Sequence, residues 1–322
     1  MCSVDTRRFM VKIARKFYED KMTQAEIASL YGISRQKVQR LLDQGERNGV
    51  IQVFIRPPLH IHENLENQLE RLYGLREAVV VDVEPRWNSD VLRAGIGLGA
   101  AEYLLRVMRD HLRIVISWGE TLLYMARSLA QLSTVKKFKN THIIQGLGFV
   151  SESGKDSHSG EIVNIIASVL GAQKHLLSAP GVTASREARD IFLKDPNVSE
   201  VLQMAKSADI ALLGIGVLTR DTIVMRGKNN IAWSEMEDLR KRGAVGDITL
   251  RFFDRHGVLV PSDVDQRVVG LNLDEIRCIE NVVGIAGGLG KVEAIHGALA
   301  GKLIKVLVTD NVTAQELISM YD

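Results

Sequence analysis

Cysteine is nearly absent from this chain: Cys2 and Cys278 are the only two among 322 residues. Two thiols make neither a disulfide framework nor a zinc site by themselves, which points to a reduced, cytoplasmic chain. No apolar run approaches the length that crosses a bilayer, and the amino terminus is charged rather than signal-like, so no membrane partner is expected. Nucleotide fingerprints are missing too. From Gly148 to Gly154-Lys155 the spacing is one residue too long for a P-loop and continues with Asp156. Gly95, Gly97 and Gly99 alternate in a helix-like context without a Rossmann pattern, so no nucleotide cofactor is expected. Excess charge is also scarce, at a net +2, but it is unevenly placed. Met1–Arg56 carries eleven Lys/Arg against six Asp/Glu, while the rest carries thirty against thirty-three. A basic head on a near-neutral body is the asymmetry of a nucleic-acid-binding unit joined to something else.

What is present is most specific between Thr23 and Leu42. TQAEIASLYGISRQKVQRLL reads as two short helices broken at Gly32. Ile27, Ala28, Tyr31, Ile33, Val38, Leu41 and Leu42 supply one small apolar core. Thr23 with Glu26 makes a capping box for the first helix, and Ser34 is the N-cap of the second. Small Ala28 permits a close crossing and Gly32 a tight turn, which together describe a helix-turn-helix. With its apolar side used, the second helix must turn Arg35, Gln36, Gln39 and Arg40 outward. Arg can read guanine and Gln adenine in the major groove, while Thr23, Gln24 and Lys37 are placed to hold phosphates. A leading helix over about residues 7–20 has Phe9, Ile13 and Phe17 at four-residue spacing. Gly49–Arg56 alternates as the strand of a wing, ended by Pro57-Pro58.

This divides the chain into a winged helix-turn-helix over 1–57, a linker or oligomerisation helix over 58–75 and a larger domain over 76–322. In the middle segment Ile61, Leu65, Leu69 and Leu72 recur at helical spacing. They form a seam between subunits or pack onto their own domain. From Ala78 onward, short β-rich apolar runs alternate with amphipathic stretches. Strands are expected at 78–83, 114–117, 142–145, 210–215, 282–286 and 306–309, and helices at 122–132 and 161–170. The fold class is therefore α/β, with ligands expected beyond the carboxyl ends of the strands.

Four strand-end loops are the candidates. Ser117-Trp118-Gly119-Glu120-Thr121 opens a helix and can hold a phosphate on hydroxyls and N–H groups. Gln145-Gly146-Leu147-Gly148 is a second glycine-rich strand end. Gly243-Ala-Val-Gly-Asp247 places a carboxylate after a flexible turn, suited to sugar hydroxyls. In Ala286-Gly287-Gly288-Leu289-Gly290-Lys291, N–H groups, a helix dipole and the lysine ammonium are expected to converge on one anion.

With these stretches in view, the chain resembles the SorC family of bacterial transcriptional regulators over nearly its whole length. The resemblance is carried by SRQKVQRLL at 34–42, SWGET at 117–121, ADIALLGIG at 208–216, the run from Gly243 to Asp254, AGGLGKVEAIHGALAGK at 286–302 and LVTD at 307–310. It implies a DNA-binding head and a sugar-binding domain related in fold to sugar-phosphate isomerases and deaminases. It further implies operator DNA as partner, a tetrameric homo-oligomer, a phosphorylated sugar effector held by the loops at Ser117–Thr121 and Gly287–Lys291, and Asp247 on the sugar. Glu120 adds a negative charge in that turn, and either points away or reads a hydroxyl.

The expected function is thus a sequence-specific regulator, repressor or activator, of a carbohydrate or nucleoside operon, and not an enzyme. The competing expectation is a sugar-phosphate isomerase or deaminase with a DNA-binding appendage. It would draw an acid/base pair from Asp247, Glu120, His158 and His175, none at a recognisable catalytic spacing.

Overall fold

The computed structural model describes residues 4–47, 49–50, 62–84, 88–132, 136–152, 155–156, 159–220, 225 and 230–321. The chain divides into two compact units, Met1–Arg56 and Pro57–Asp322. Among the described residues no helix is long and apolar enough to cross a membrane.

In the first unit α1 (Val4–Tyr18), α2 (Gln24–Tyr31) and α3 (Arg35–Arg47) enclose one core of Met10, Ile13, Ile27, Ala28, Val38, Leu41 and Leu42. Phe9 and Phe17 only edge this core, because Met10 and Ile13 take the central positions of α1. The capping box forms as the spacing predicts, with the Thr23 N–H donating to Glu26 at 2.7 Å. Gly32 ends α2 in the left-handed region at φ 62°, where a side chain would be strained. The stretch expected to be the wing lies, from Ile51 on, outside the described residues.

The second unit opens with α4 (Glu63–Tyr73), β1 (Glu77–Val81), α5 (Ser89–Val107), β2 (Arg113–Ile116), α6 (Glu120–Gln131) and β3 (His142–Gln145). A small hairpin of β4 (Ser151–Glu152) and β5 (Lys155–Asp156) precedes α7 (Ser159–Leu170), β6 (Gln173–His175), α8 (Arg186–Lys194), α9 (Pro196–Lys206) and β7 (Ile210–Gly214). There follow α10 (Trp233–Lys241), the hairpin β8 (Ala244–Ile248) and β9 (Arg251–Asp254), α11 (Asp263–Arg267), α12 (Leu273–Cys278) and β10 (Asn281–Ile285). A 3-10 turn (Leu289–Lys291), α13 (Val292–Ala300), β11 (Val306–Asp310) and α14 (Asn311–Ser319) complete it.

Seven strands form one sheet in the order β1-β11-β10-β7-β2-β3-β6, all pairs parallel. A parallel sheet is covered on both faces, which is why its strands read as near-continuous apolar runs. One face packs against α4, α9, α12, α13 and α14, the other against α5, α6 and α7. Glycines let α5 approach closely: a Cβ on Gly97 would lie 2.7 Å from the Met125 nitrogen of α6, and one on Gly99 2.6 Å from Val81 Cγ1. That packing, not a dinucleotide, accounts for their alternation. The chain leaves β2 in one direction across the sheet and returns at β7 to run in the other. The β2–β7 boundary is therefore a topological switch point, where a crevice opens at the carboxyl ends.

The apolar stripe on α4 is turned inward. Leu69 is fully buried and Leu65 and Leu72 pack against the same core. On its flank, Glu70 and Glu66 accept the N–H groups of Ala78 and Val80 at 2.9 Å each, closing the outer edge of β1. Leu69 in full, and Leu65 and Leu72 in part, thus pack onto their own domain. Ile61 lies outside the described residues.

Candidate functional site

On α3 the apolar side faces the core and Arg35, Gln36, Lys37, Gln39 and Arg40 are all exposed. Arg35, Lys37 and Arg40 have no protein partner among the described residues. Three unneutralised cations on one helix suit a polyanion. Ser34 caps α3 by accepting the Lys37 N–H at 3.2 Å, and Thr23 Oγ1 donates to Glu26 at 2.8 Å. Both hydroxyls are thus engaged at helix starts, that of Ser34 as the sequence predicts and that of Thr23 in addition to its expected place beside a phosphate. Gln24 Nε2 donates to Gln39 Oε1 at 2.5 Å, and Gln39 Nε2 donates to Asp43 at 2.7 Å. Asp43 was not among the expected residues. Together they fix which end of the Gln39 amide is donor and which acceptor, leaving one free hydrogen and one free lone pair, the pattern that matches an adenine edge.

In the second unit a cavity of about 310 Å³ opens at the switch point. Its floor is made by the ends of β2, β7 and β10, and its walls by the start of α6, the β8–β9 hairpin and Lys291. The volume is at the small end of the range for ligand pockets, about 300–1,000 Å³. Ser117 is buried and its Oγ accepts the Gly214 N–H at 3.1 Å, so it ties β2 to β7 beneath the cavity. Gly119 precedes α6 at φ 133°, and the positive end of that helix faces the opening.

Asp247 follows the turn at Gly243, as the sequence predicts, but it lies within the strand β8 and not in a strand-end loop. The turn at Gly243 (φ 91°) comes first, and pairing with β9 carries Asp247 forward to the cavity. Its backbone pairs with Gly216, whose missing side chain is required: a Cβ there would lie 2.1 Å from Asp247 Oδ1. Asp247 Oδ2 accepts the Leu250 N–H at 3.0 Å. Burial pushes this carboxyl up to about 6, opposed by that N–H and by Lys291. The hairpin turn puts two non-glycine residues, Thr249 and Leu250, in the left-handed region at φ 52° and 61°. Such strain persists only where its surroundings hold it.

Lys291 Nζ crosses to the Ile215 carbonyl at 2.7 Å. Burial holds its ammonium below the usual lysine range, with Asp247 the main opposing charge. Arg93 on α5 also lines the cavity and meets Glu120 at 3.0 Å, while its other amino group meets Asp90 at 3.0 Å. A wider depression of about 540 Å³ lies between α10 and α11, but Glu235, Asp238 and Asp263 outnumber Arg242 there, which disfavours an anion.

The family described as "Putative sugar-binding domain" matches residues 59–319. Over 316 residues the chain is 31% identical to the deoxyribonucleoside regulator of Bacillus subtilis, with 98% of each chain covered. It is equally 31% identical to the sorbitol operon regulator of Klebsiella pneumoniae over 317 residues, again with 98% of each covered. The crystal structure of full-length SorC from Klebsiella pneumoniae superposes with a TM-score of 0.71 at 29% identity, covering 98% of this chain and 100% of that one. This chain belongs to the SorC family of transcriptional regulators.

In this SorC-family chain the cavity brings together Ser117, Trp118, Gly119, Glu120, Thr121, Asp247 and Lys291. Gly146, Gly287, Gly288 and Gly290 do not line it. A Cβ on Gly146 would lie 2.7 Å from Val115 Cγ2, so that glycine serves packing between β3 and β2. A Cβ on Gly287 would lie 2.2 Å from Asp310 Oδ2. The Gly288 N–H is taken by Asp310 and Thr313, at 2.8 and 2.7 Å. The glycine-rich loop therefore delivers Lys291 to the cavity, while its own N–H at Gly288 is spent on Asp310. His175 lies elsewhere, paired to His142 at 2.9 Å, and His158 is outside the described residues. Arg93 escaped sequence reasoning because it precedes the 117–121 turn by a whole helix. Its one signal is a lone cation in the otherwise small and apolar run from Val91 to Ala101.

Proposed function

We propose that the chain binds operator DNA through α3 and that a small phosphorylated sugar, held in the cavity at the β2–β7 switch point, sets its affinity for DNA. The observation behind this reading is that Lys291, Asp247 and the positive end of α6 meet in one cavity. An ammonium and a helix N-terminus suit a phosphate, and a carboxylate suits sugar hydroxyls. The regulated operon then serves carbohydrate or nucleoside breakdown, a reading supported by the names of the two relatives, a deoxyribonucleoside regulator and a sorbitol operon regulator.

Control follows from linkage. A sugar that binds one state of the protein more tightly than another shifts the population toward it, and the change in operator affinity cannot exceed that difference. The acting form is a homo-oligomer, a tetramer. Catalysis forms no part of the reading: among the described residues the two cavity carboxylates are Asp247, bonded to Leu250, and Glu120, paired with Arg93, and no histidine joins them. The test is selection of bound DNA from a genomic fragment library by the full-length protein, followed by titration of the selected fragment with and without sugar phosphates. Recovery of one sequence whose affinity responds to one sugar phosphate supports the proposal. Recovery of no sequence, or turnover of a sugar phosphate at enzymatic rates, contradicts it.

A further inference from the structure

The cavity has an unusual charge balance for an anion site. Arg93, which would otherwise add a second cation, is already shared by two carboxylates, Glu120 and Asp90, at 3.0 Å each. Lys291 is the remaining cation among the described lining residues, and it rests on a carbonyl, not on a carboxylate. Asp247 faces the same space. With Arg93 balanced by Asp90 outside the cavity, one ammonium and one helix N-terminus, worth about half a charge, stand against the carboxylates of Glu120 and Asp247 within about 310 Å³.

From this geometry we infer that the cavity selects singly phosphorylated sugars and rejects bisphosphates, with Glu120, held in place by Arg93, as the residue that rejects the second phosphate. The inference rests on the sugar-phosphate reading above and narrows it. A phosphate monoester carries roughly 1.5 to 2 negative charges at neutral pH. One such group is matched by Lys291 and the start of α6. Among the described residues a second finds no free cation, because the only other guanidinium lining the cavity is engaged, and it would lie beside the like charge of Glu120. Glu120 thereby has a physical role at the mouth of α6: its carboxylate stands where a second phosphate would need a cation. Asp247 stays compatible with one phosphate, since its oxygens can accept the sugar hydroxyls.

The test is calorimetric titration of the full-length protein with matched pairs: ribose 5-phosphate and ribose 1,5-bisphosphate, ribulose 5-phosphate and ribulose 1,5-bisphosphate, and fructose 6-phosphate and fructose 1,6-bisphosphate. For the sugar frame that binds, the monophosphate is expected to bind about tenfold or more tightly than the bisphosphate. Glu120→Gln, nearly isosteric, is expected to close most of that gap by tightening the bisphosphate. Arg93→Met, which leaves Glu120 unpaired, is expected to widen it. Because each ratio is measured within one protein, a variant that is merely less stable does not mimic the result. A bisphosphate that binds wild type as tightly as its monophosphate, or a ratio unmoved by Glu120→Gln, overturns the inference while leaving the sugar-phosphate reading intact. Binding of free sugars with no binding of any phosphate overturns both.

Discussion

Asp310 and Gly288, twenty-two residues apart, are joined by a 2.8 Å hydrogen bond in which the carboxylate accepts the backbone N–H. The same fully buried carboxylate accepts the Thr313 N–H at 2.8 Å and its hydroxyl at 2.6 Å. One aspartate thus caps α14 and fastens the loop that carries Lys291.

Replacing Asp310 by Ala removes three bonds to a buried charge and strands the donors. A loss of about 2–4 kcal/mol of stability is expected, read by urea unfolding at neutral pH. A loss under about 0.5 kcal/mol would mean that the loop holds itself.

Asp247 gives a pH signature. Its carboxyl is raised from 3.8 to about 6 in the folded protein, so between those values the folded state binds more protons than the unfolded one. Stability contributed by this group is present at the acid end, falls as pH rises from about 4 to about 6, and is constant above that. Asp247→Asn should flatten that fall, by on the order of 1–3 kcal/mol, in unfolding curves measured across the window. An unchanged slope would show that Asp247 titrates as an ordinary aspartate.

Much of this arrangement was legible from the residues. The caps, the turn glycine and the outward face of α3 were local patterns, and a local pattern needs no tertiary partner to be read. Six of the seven parallel strands were likewise visible as apolar runs, while the polar, largely exposed β6 was not. What escaped was non-local: Asp310 reaching back to Gly288, Arg93 reaching Glu120 from another helix, and the pairing with β9 that makes the stretch carrying Asp247 a strand and not a strand-end loop. Glycine-rich loops were over-read for the same reason, since nothing near Gly146 or Gly287 in sequence discloses the Val115 or Asp310 atoms that exclude a side chain there.

For the DNA-binding unit, Arg40→Ala should weaken operator binding and reduce its salt dependence by about one counterion. Asp43→Ala should act differently, because it frees the Gln39 amide to turn. Discrimination at one base pair is expected to fall by about 1–3 kcal/mol, with a smaller change in affinity for unrelated DNA, measured by anisotropy on single-substituted operators. Equal loss on all sequences would make Asp43 a structural residue only.

Leu69→Ala tests the inward packing of α4. Truncating a fully buried leucine should cost about 2–5 kcal/mol, and the loss should be the same at low and high protein concentration. A loss that shrinks as concentration rises would instead place that stripe between subunits.

The central claim is that a phosphorylated sugar at Lys291 governs DNA affinity. Its most direct test is operator binding, by anisotropy, of the full-length wild type and of Lys291→Ala, each with and without a saturating sugar monophosphate. Wild type should change its operator affinity by about 5- to 150-fold, whereas Lys291→Ala should bind the operator normally and ignore the sugar. An operator affinity that the sugar leaves unmoved in wild type, or moves equally in both proteins, would contradict the account.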